Sequence, residues 1–185
     1  MASGFLTEAQ RERLNRFPDD IGRDDLSAYF TLSEADIETI KRQRHDHTRL
    51  GFALQLCALR YLGFAPDDLS TVSPSVVEFI ARQLDLAPTA IQDYGQRIHT
   101  RTDHLLSVQA YLGFRKASAA DLDELTQWLL ARALEHDKPT LLLQLACEHL
   151  HRQRIVRPGI TRLEAVVSAA RGQAQNETYR LFCRY

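Results

Sequence analysis

The chain has 185 residues, 44% hydrophobic and 25% charged, and a formal net charge of −1, which is the balance of a water-soluble globular protein of one medium or two small domains. That charge excludes a generic polyanion binder, so any phosphate binding must come from local basic patches. No apolar run approaches 18 residues and no signal pattern opens the chain, which argues against a membrane partner.

Eight glycines, six prolines and no grouped alternating runs of strand formers predict an all-α chain, a multi-helix bundle. Cys57, Cys147 and Cys183 are odd in number and contain no CxxC pair, as expected of free thiols in a reducing, cytoplasmic compartment. The charge is unevenly spread. Residues 19–38 hold seven acids and one base, 41–49 four bases and one acid, and 151–162 four arginines and no acid.

Taken in order, the pattern predicts a first helix over 7–17, capped by Thr7 and ended by Pro18. A short second helix covers 24–30, with Leu26, Tyr29 and Phe30 inward. A third spans 33–44, opened by Ser33 and Asp36 in a capping-box-like start. The longest apolar helix follows, within 44–63. Leu50, Ala53, Leu54, Cys57, Ala58, Tyr61 and Leu62 recur at three- and four-residue spacing, and Gln55 and Arg60 fall on the other side. Asp46 or Thr48 can cap it and Gly63 is placed to stop it. It is expected to be the central helix of an amino-terminal bundle, entered through His45-Asp46-His47. Lys41, Arg42, Arg44 and Arg49 at that entrance suit either a solvated corner or a phosphate clamp.

A polar loop over 65–74 marks a subdomain boundary. In EFIARQLDLAPTAIQDY, Ala81, Leu84, Leu86 and Ile91 have the spacing of a helix-turn-helix, with Asp85 where glycine is usual. The second helix would start near Pro88 and expose Thr89, Gln92, Asp93 and Gln96. Glutamine can pair with adenine, and Arg97 and Arg101 can reach guanine or phosphate. The same spacing also suits a plain packing pair. Further helices are expected over 99–113, 118–133 with Ser118 and Asp121 at its start, and from Pro139 to His151. Trp128 reads as a core anchor. In RIVRPGITRLEAVVSAAR, Pro158-Gly159 makes a turn and Thr161 can cap the last helix. Arg152, Arg154, Arg157 and Arg162 around that turn suit phosphate contact.

Catalytic and metal chemistry find little support. His45 and His47 are two apart, as are Cys147, His149 and His151, and residues two apart on a helix diverge. No HExxH, GxSxG, phosphate loop or dinucleotide fingerprint occurs. No catalytic residue, metal or cofactor is assigned.

The run RLGFALQLCALRYLG with KRQRHDH before it, together with FLTEAQRERLNRFPDDI, DLSAYFTLSEADIETI and RIVRPGITRLEAVVSAAR, closely resembles the amino-terminal, DUF4158-like region of Tn3-family transposases. The resemblance covers about Phe5 to Leu181. It implies helical DNA-binding subdomains that recognise transposon terminal inverted repeats, without the DDE-type catalytic region, hence no enzyme. The partner it implies is double-stranded DNA, with homodimerisation left to regions the chain lacks. Three subdomains are expected: 1–64 with the basic entrance, 75–115 with helix-turn-helix character, and 118–185 with the arginine-rich turn. In this scheme Lys41, Arg42, Arg44 and Arg49 hold phosphates. Thr89, Gln92, Gln96, Arg97 and Arg101 face bases and backbone, and Arg154, Arg157, Thr161 and Arg162 clamp backbone again. The rival reading is a helical protein-interaction or regulatory module, such as a transposition-repressor remnant. Steep salt dependence separates DNA binding from that reading.

Overall fold

A computed structural model describes residues 4–66, 68–95 and 98–182, and the fold is all-α. The chain forms two compact units, one of residues 15–114 and one of 1–14 with 115–185. The first therefore holds most of both the 1–64 and the 75–115 stretches.

The 15–114 unit contains α2 (Arg23–Phe30), α3 (Glu34–Lys41), α4 (Asp46–Leu62), α5 (Pro74–Leu84) and α6 (Ile98–Leu112). Its centre is α4, in which every residue from Leu50 to Leu59 is buried. Helices α2, α3, α5 and α6 all pack against it, so the expected polar side at Gln55 does not exist. Gln55 is 3% exposed and its amide donates to the Arg101 carbonyl on α6 at 3.2 Å. A helix covered all round must use its polar groups internally.

Arg60 does the same at the end of α4. Its guanidinium donates to both oxygens of the buried Asp36 carboxylate at 2.9 Å, and Tyr111 of α6 adds a third bond at 2.9 Å. Asp36 also closes the expected capping box, accepting from the Ser33 N–H at 2.9 Å. One carboxylate thus ties α3, α4 and α6 together. Gln83 of α5 is a second tie, accepting from Leu32 N–H at 2.8 Å and donating to the Phe30 carbonyl at 3.0 Å.

Helix ends follow local chemistry. α3 stops at Lys41 rather than 44, and His45, in extended backbone, caps α4. Thr48 takes part through its hydroxyl, which accepts the His45 N–H at 3.1 Å, whereas Asp46 is already inside the helix. Gly63 and Gly113, each followed by Phe in the two YLGF strings, take φ of 73° and 71°, the left-handed ending glycine makes cheap.

The other unit contains most of α1 (Glu8–Asn15), with α7 (Ala119–Ala133), α8 (Pro139–Arg152), α9 (Ile160–Phe182) and two two-residue strands, β1 (Arg115–Lys116) and β2 (Ile155–Val156). Leu122, Leu125 and Leu129 of α7 face Leu163, Val167 and Ala170 of α9, with Leu142, Ala146 and Leu150 of α8 completing the core. Burying each such leucine contributes about 1.5–3 kcal/mol. Ser118 and Asp121 cap α7 reciprocally, at 3.2 and 2.7 Å. Thr7 and Gln10 do so for α1, at 3.3 and 2.8 Å.

The amino-terminal segment is fastened by a buried carboxylate: Glu164 of α9 accepts from Leu6 N–H at 3.0 Å and from Arg11 Nε at 2.6 Å. α9 begins at Ile160, with Gly159 O accepting from Arg162 and Leu163, so Thr161 lies inside the first turn and is not its cap. The stretch before it is not a plain exposed turn, because β2 pairs in parallel with β1 and Ile155 enters the core.

Candidate nucleic-acid interface

In the 15–114 unit the α3–α4 corner presents Lys41, Arg42 and Arg44, all exposed. Arg49 differs: half-buried, its Nε donates to the Gln43 carbonyl at 3.0 Å, with Asp46 at 3.6 Å. It braces the corner while the other three cations remain available to solvent. His45 and His47 stack with ring centroids 5.4 Å apart. The two converge, against the sequence expectation, because extended His45 lies outside the helical turn. Among the described residues no group of three metal-ligating side chains forms.

The helix-turn-helix expectation holds only in part. α5 ends at Asp85, which takes the left-handed conformation assigned to it, with φ 55°. The second element starts at Pro88 as expected, but it is a six-residue 3-10 helix, Pro88–Asp93, not an α-helix. The cause is tertiary. Tyr94 must leave the helical path to lay its ring over Gly51 of α4, in the space a Cβ would take. Its hydroxyl meets His104 Nδ1 of α6 at 3.0 Å. Burial raises the Tyr94 phenol and lowers the His104 imidazole from their ordinary pKa values, so both stay neutral near pH 7.

Thr89, Gln92 and Asp93 are exposed on this short helix. Gln92 and Thr89 border an open cleft of about 580 Å³ that also reaches Val77, Ile91 and Arg101. Arg101, in the first turn of α6, is half-buried. Gln96 and Arg97 lie outside the described residues.

In the other unit Arg152, Arg154, Thr161 and Arg162 are exposed. Arg157 is not: it is 9% exposed, and its guanidinium donates to the Leu14 carbonyl at the end of α1 at 3.2 Å. Its removal from water lowers its pKa. Arg157 is therefore a structural strut, and the phosphate clamp expected of it is withdrawn. The alternation of the RIVR string carries the reason, since Arg157 lies two residues beyond buried Ile155 and shares its inward phase.

What the sequence did not show is that β1 brings Arg115 and Lys116 alongside this turn, through Arg115 N–H to Arg154 O at 3.0 Å. Only tertiary pairing joins positions so far apart. Arg115 is held by Asp121 through two 2.6 Å contacts, which with Ser118 keep that carboxyl well below the usual carboxylate range. Lys116 is exposed. Trp128, half-buried, lies between Arg132, 3.3 Å above its ring, and His149, stacked at 4.0 Å.

A family model described as "Domain of unknown function (DUF4158)" matches residues 5–170. The chain belongs to the DUF4158 family. It is also similar to the amino-terminal region of Tn3-family transposases. The transposase for transposon Tn1546 of Enterococcus faecium is 32% identical over 175 residues, 95% of this chain and 18% of that protein. The transposase for Tn501 of Pseudomonas aeruginosa is 33% identical over 176 residues, again 95% and 18%. That for gamma-delta of Escherichia coli K12 is 31% identical over 183 residues, 97% and 18%. The chain thus spans 18% of the length of these relatives. The DUF4158 match includes both exposed basic surfaces, from Lys41 to Arg162. No helix among the described residues is long and apolar enough to cross a membrane.

Proposed function

We propose that this DUF4158 chain binds double-stranded DNA sequence-specifically, at the terminal inverted repeats of a transposon, as the end-recognition part of a Tn3-family transposase. The observation that carries the reading is the similarity to transposases over 95% of the chain, joined to exposed cations in each unit of a chain whose net charge is −1. Basic side chains clustered at the surface are the electrostatic footprint of phosphate contact.

In this reading Lys41, Arg42 and Arg44 hold phosphates and Arg49 keeps their corner rigid. Thr89 and Gln92, with Gln96, Arg97 and Arg101, supply base and backbone contacts. A six-residue 3-10 helix is too short to lie along a major groove as a recognition helix does, so readout falls to its exposed tip and to the start of α6. Arg154, Thr161 and Arg162 contact backbone from the other unit. Strand-transfer chemistry is assigned to parts of the relatives that this chain does not match, and a dimer would form through those parts as well.

The test is the class of effect each side chain has. Gln92→Ala should cost about 1–3 kcal/mol on the cognate repeat and nothing on shuffled DNA. Lys41→Gln should weaken both duplexes alike and make log K against log salt shallower by about 0.9. Equal loss on both duplexes for both variants would remove base reading from the 88–101 segment.

A further inference from the structure

Tyr94 and Gly95 stand between the two elements that carry the proposed base contacts. Thr89 and Gln92 lie on the six-residue 3-10 helix before them, and Arg101 lies in the first turn of α6 after them. All five residues line one cleft. Hydrogen bonds in a 3-10 helix have poorer geometry than those of an α-helix, so so short a piece does not fix the placement of Gln92 against Arg101. Tertiary contacts do.

The Tyr94 hydroxyl meets Nδ1 of His104 at 3.0 Å, and the two rings stack with centroids 5.6 Å apart. His104 is itself held, 7% exposed, with Phe52 of α4 edge-on at 5.3 Å. It lies three residues beyond Arg101, on the same side of α6. Gly95 takes φ 86°, and a Cβ there would stand 3.0 Å from Arg101 Cδ and 3.6 Å from Cγ. The arginine stem therefore rests on bare glycine backbone. Gln55 of α4 holds the Arg101 carbonyl at 3.2 Å. The guanidinium is near enough to act on the Tyr94 phenol, whose pKa burial raises and the Arg101 charge lowers. An arginine held at main chain and stem loses less freedom on engaging a partner.

The cleft also indicates which part of DNA this cation suits. Among the described residues Arg101 is the only cation that lines it, beside Asp68 and Glu78. A phosphate there would meet like charge, whereas a guanine edge is neutral and offers N7 and O6 as paired acceptors to an arginine fork.

We infer that Arg101 reads a guanine edge beside Gln92, and that Tyr94, Gly95 and His104 are positioning residues that hold its side chain for that contact. The inference rests on the DNA-binding reading above. The structural rival is that the Tyr94–His104 bond only stabilises the unit.

The experiment uses the full chain with repeat and shuffled duplexes, titrated by fluorescence anisotropy at several salt concentrations, alongside thermal unfolding. The variants are R101K, Y94F, the two combined, and Y61F. R101K keeps the charge and loses the fork. Y94F removes one hydroxyl and leaves the ring to cover Gly51. Y61F is the control: it removes the hydroxyl that bonds Asp25 at 3.1 Å, about 15 Å along α4 from Gly51. R101K and Y94F should each lower the ratio of repeat to shuffled affinity about ten-fold, with shuffled affinity and salt slope at wild-type values. Y61F should keep the wild-type ratio at a similar loss of Tm to Y94F. In the combined variant the ratio should fall no further than in R101K alone, because Tyr94 acts through Arg101. A wild-type ratio in Y94F or R101K, an equal loss in Y61F, or multiplied losses in the combined variant would overturn the inference and leave the DNA-binding reading standing. Equal affinity of the wild-type chain for the two duplexes, or none for either, removes the reading itself, and the inference with it.

Discussion

Asp36 and Arg157 show how much one side chain decides. Burial pushes the Asp36 carboxyl up, but the Ser33 N–H, Arg60 and Tyr111 together bring it below its ordinary pKa. Asp36→Asn leaves the half-buried Arg60 without its counter-charge and should cost about 2–4 kcal/mol, measured by urea unfolding. Wild-type stability in that variant would show that the three-helix tie contributes nothing. Arg157→Ala removes the bond to Leu14 O and should cost about 1–3 kcal/mol, with no change in the salt slope of DNA binding. A shallower slope would return Arg157 to the interface. Both residues were visible in the sequence, and only one was read correctly. The Ser33–Asp36 cap is local, so spacing reveals it. The burial of Arg157 depends on α1 folding back from 143 positions away, which spacing within RIVRPGIT cannot report.

Elements divide in the same way. Helix positions and several of their stops were legible because capping pairs, Pro139 and the two YLGF glycines act within a turn of where they stand, whereas α1 stops at Asn15 rather than 17 and α3 at Lys41 rather than 44. Asp85 was legible too, and Asp85→Gly should stabilise the chain by about 0.5–1 kcal/mol by relieving its left-handed φ. Unchanged or lower stability in urea would mean that its side chain contributes more than the strain. The 3-10 form of Pro88–Asp93 was not legible, because it follows from Tyr94 seeking the surface of Gly51. Gly51→Ala places a methyl group where that ring lies. It should cost about 1–3 kcal/mol and release Tyr94, seen as a loss of near-UV dichroism. If dichroism and stability stay at wild-type values, the close approach does not hold the segment. The apolar pattern of α4 announced a core helix but not a helix buried on every side. Gln55 looked like a surface residue because its partner, the Arg101 carbonyl, is backbone and leaves no mark in a side-chain pattern.

For the whole molecule, two compact units each contain one buried carboxylate that fixes a fold-back, Asp36 in one and Glu164 in the other. The Arg11 hydrogen bond leads in lowering the Glu164 pKa, against burial. A depressed folded-state pKa gives stability that is complete above the unfolded value, near 4 for these groups, and is lost as pH falls through the folded value. Dichroism should therefore hold steady down to about pH 4 and fall below it, less steeply in Glu164→Gln. An identical acid profile in that variant would remove Glu164 from the pH response. Family membership was readable from long motifs in order, while the assembly of β1 with the arginine turn was not, since strands of two residues leave no pattern.

Fluorescence anisotropy is the most direct check on end recognition. It would compare the terminal inverted repeat of a Tn3-family transposon with a shuffled duplex of equal length, each at two salt concentrations. The expected result is tighter binding to the repeat that persists at the higher salt, on a background that weakens steeply with salt for both duplexes. Equal affinity for the two duplexes, or none for either, would contradict it.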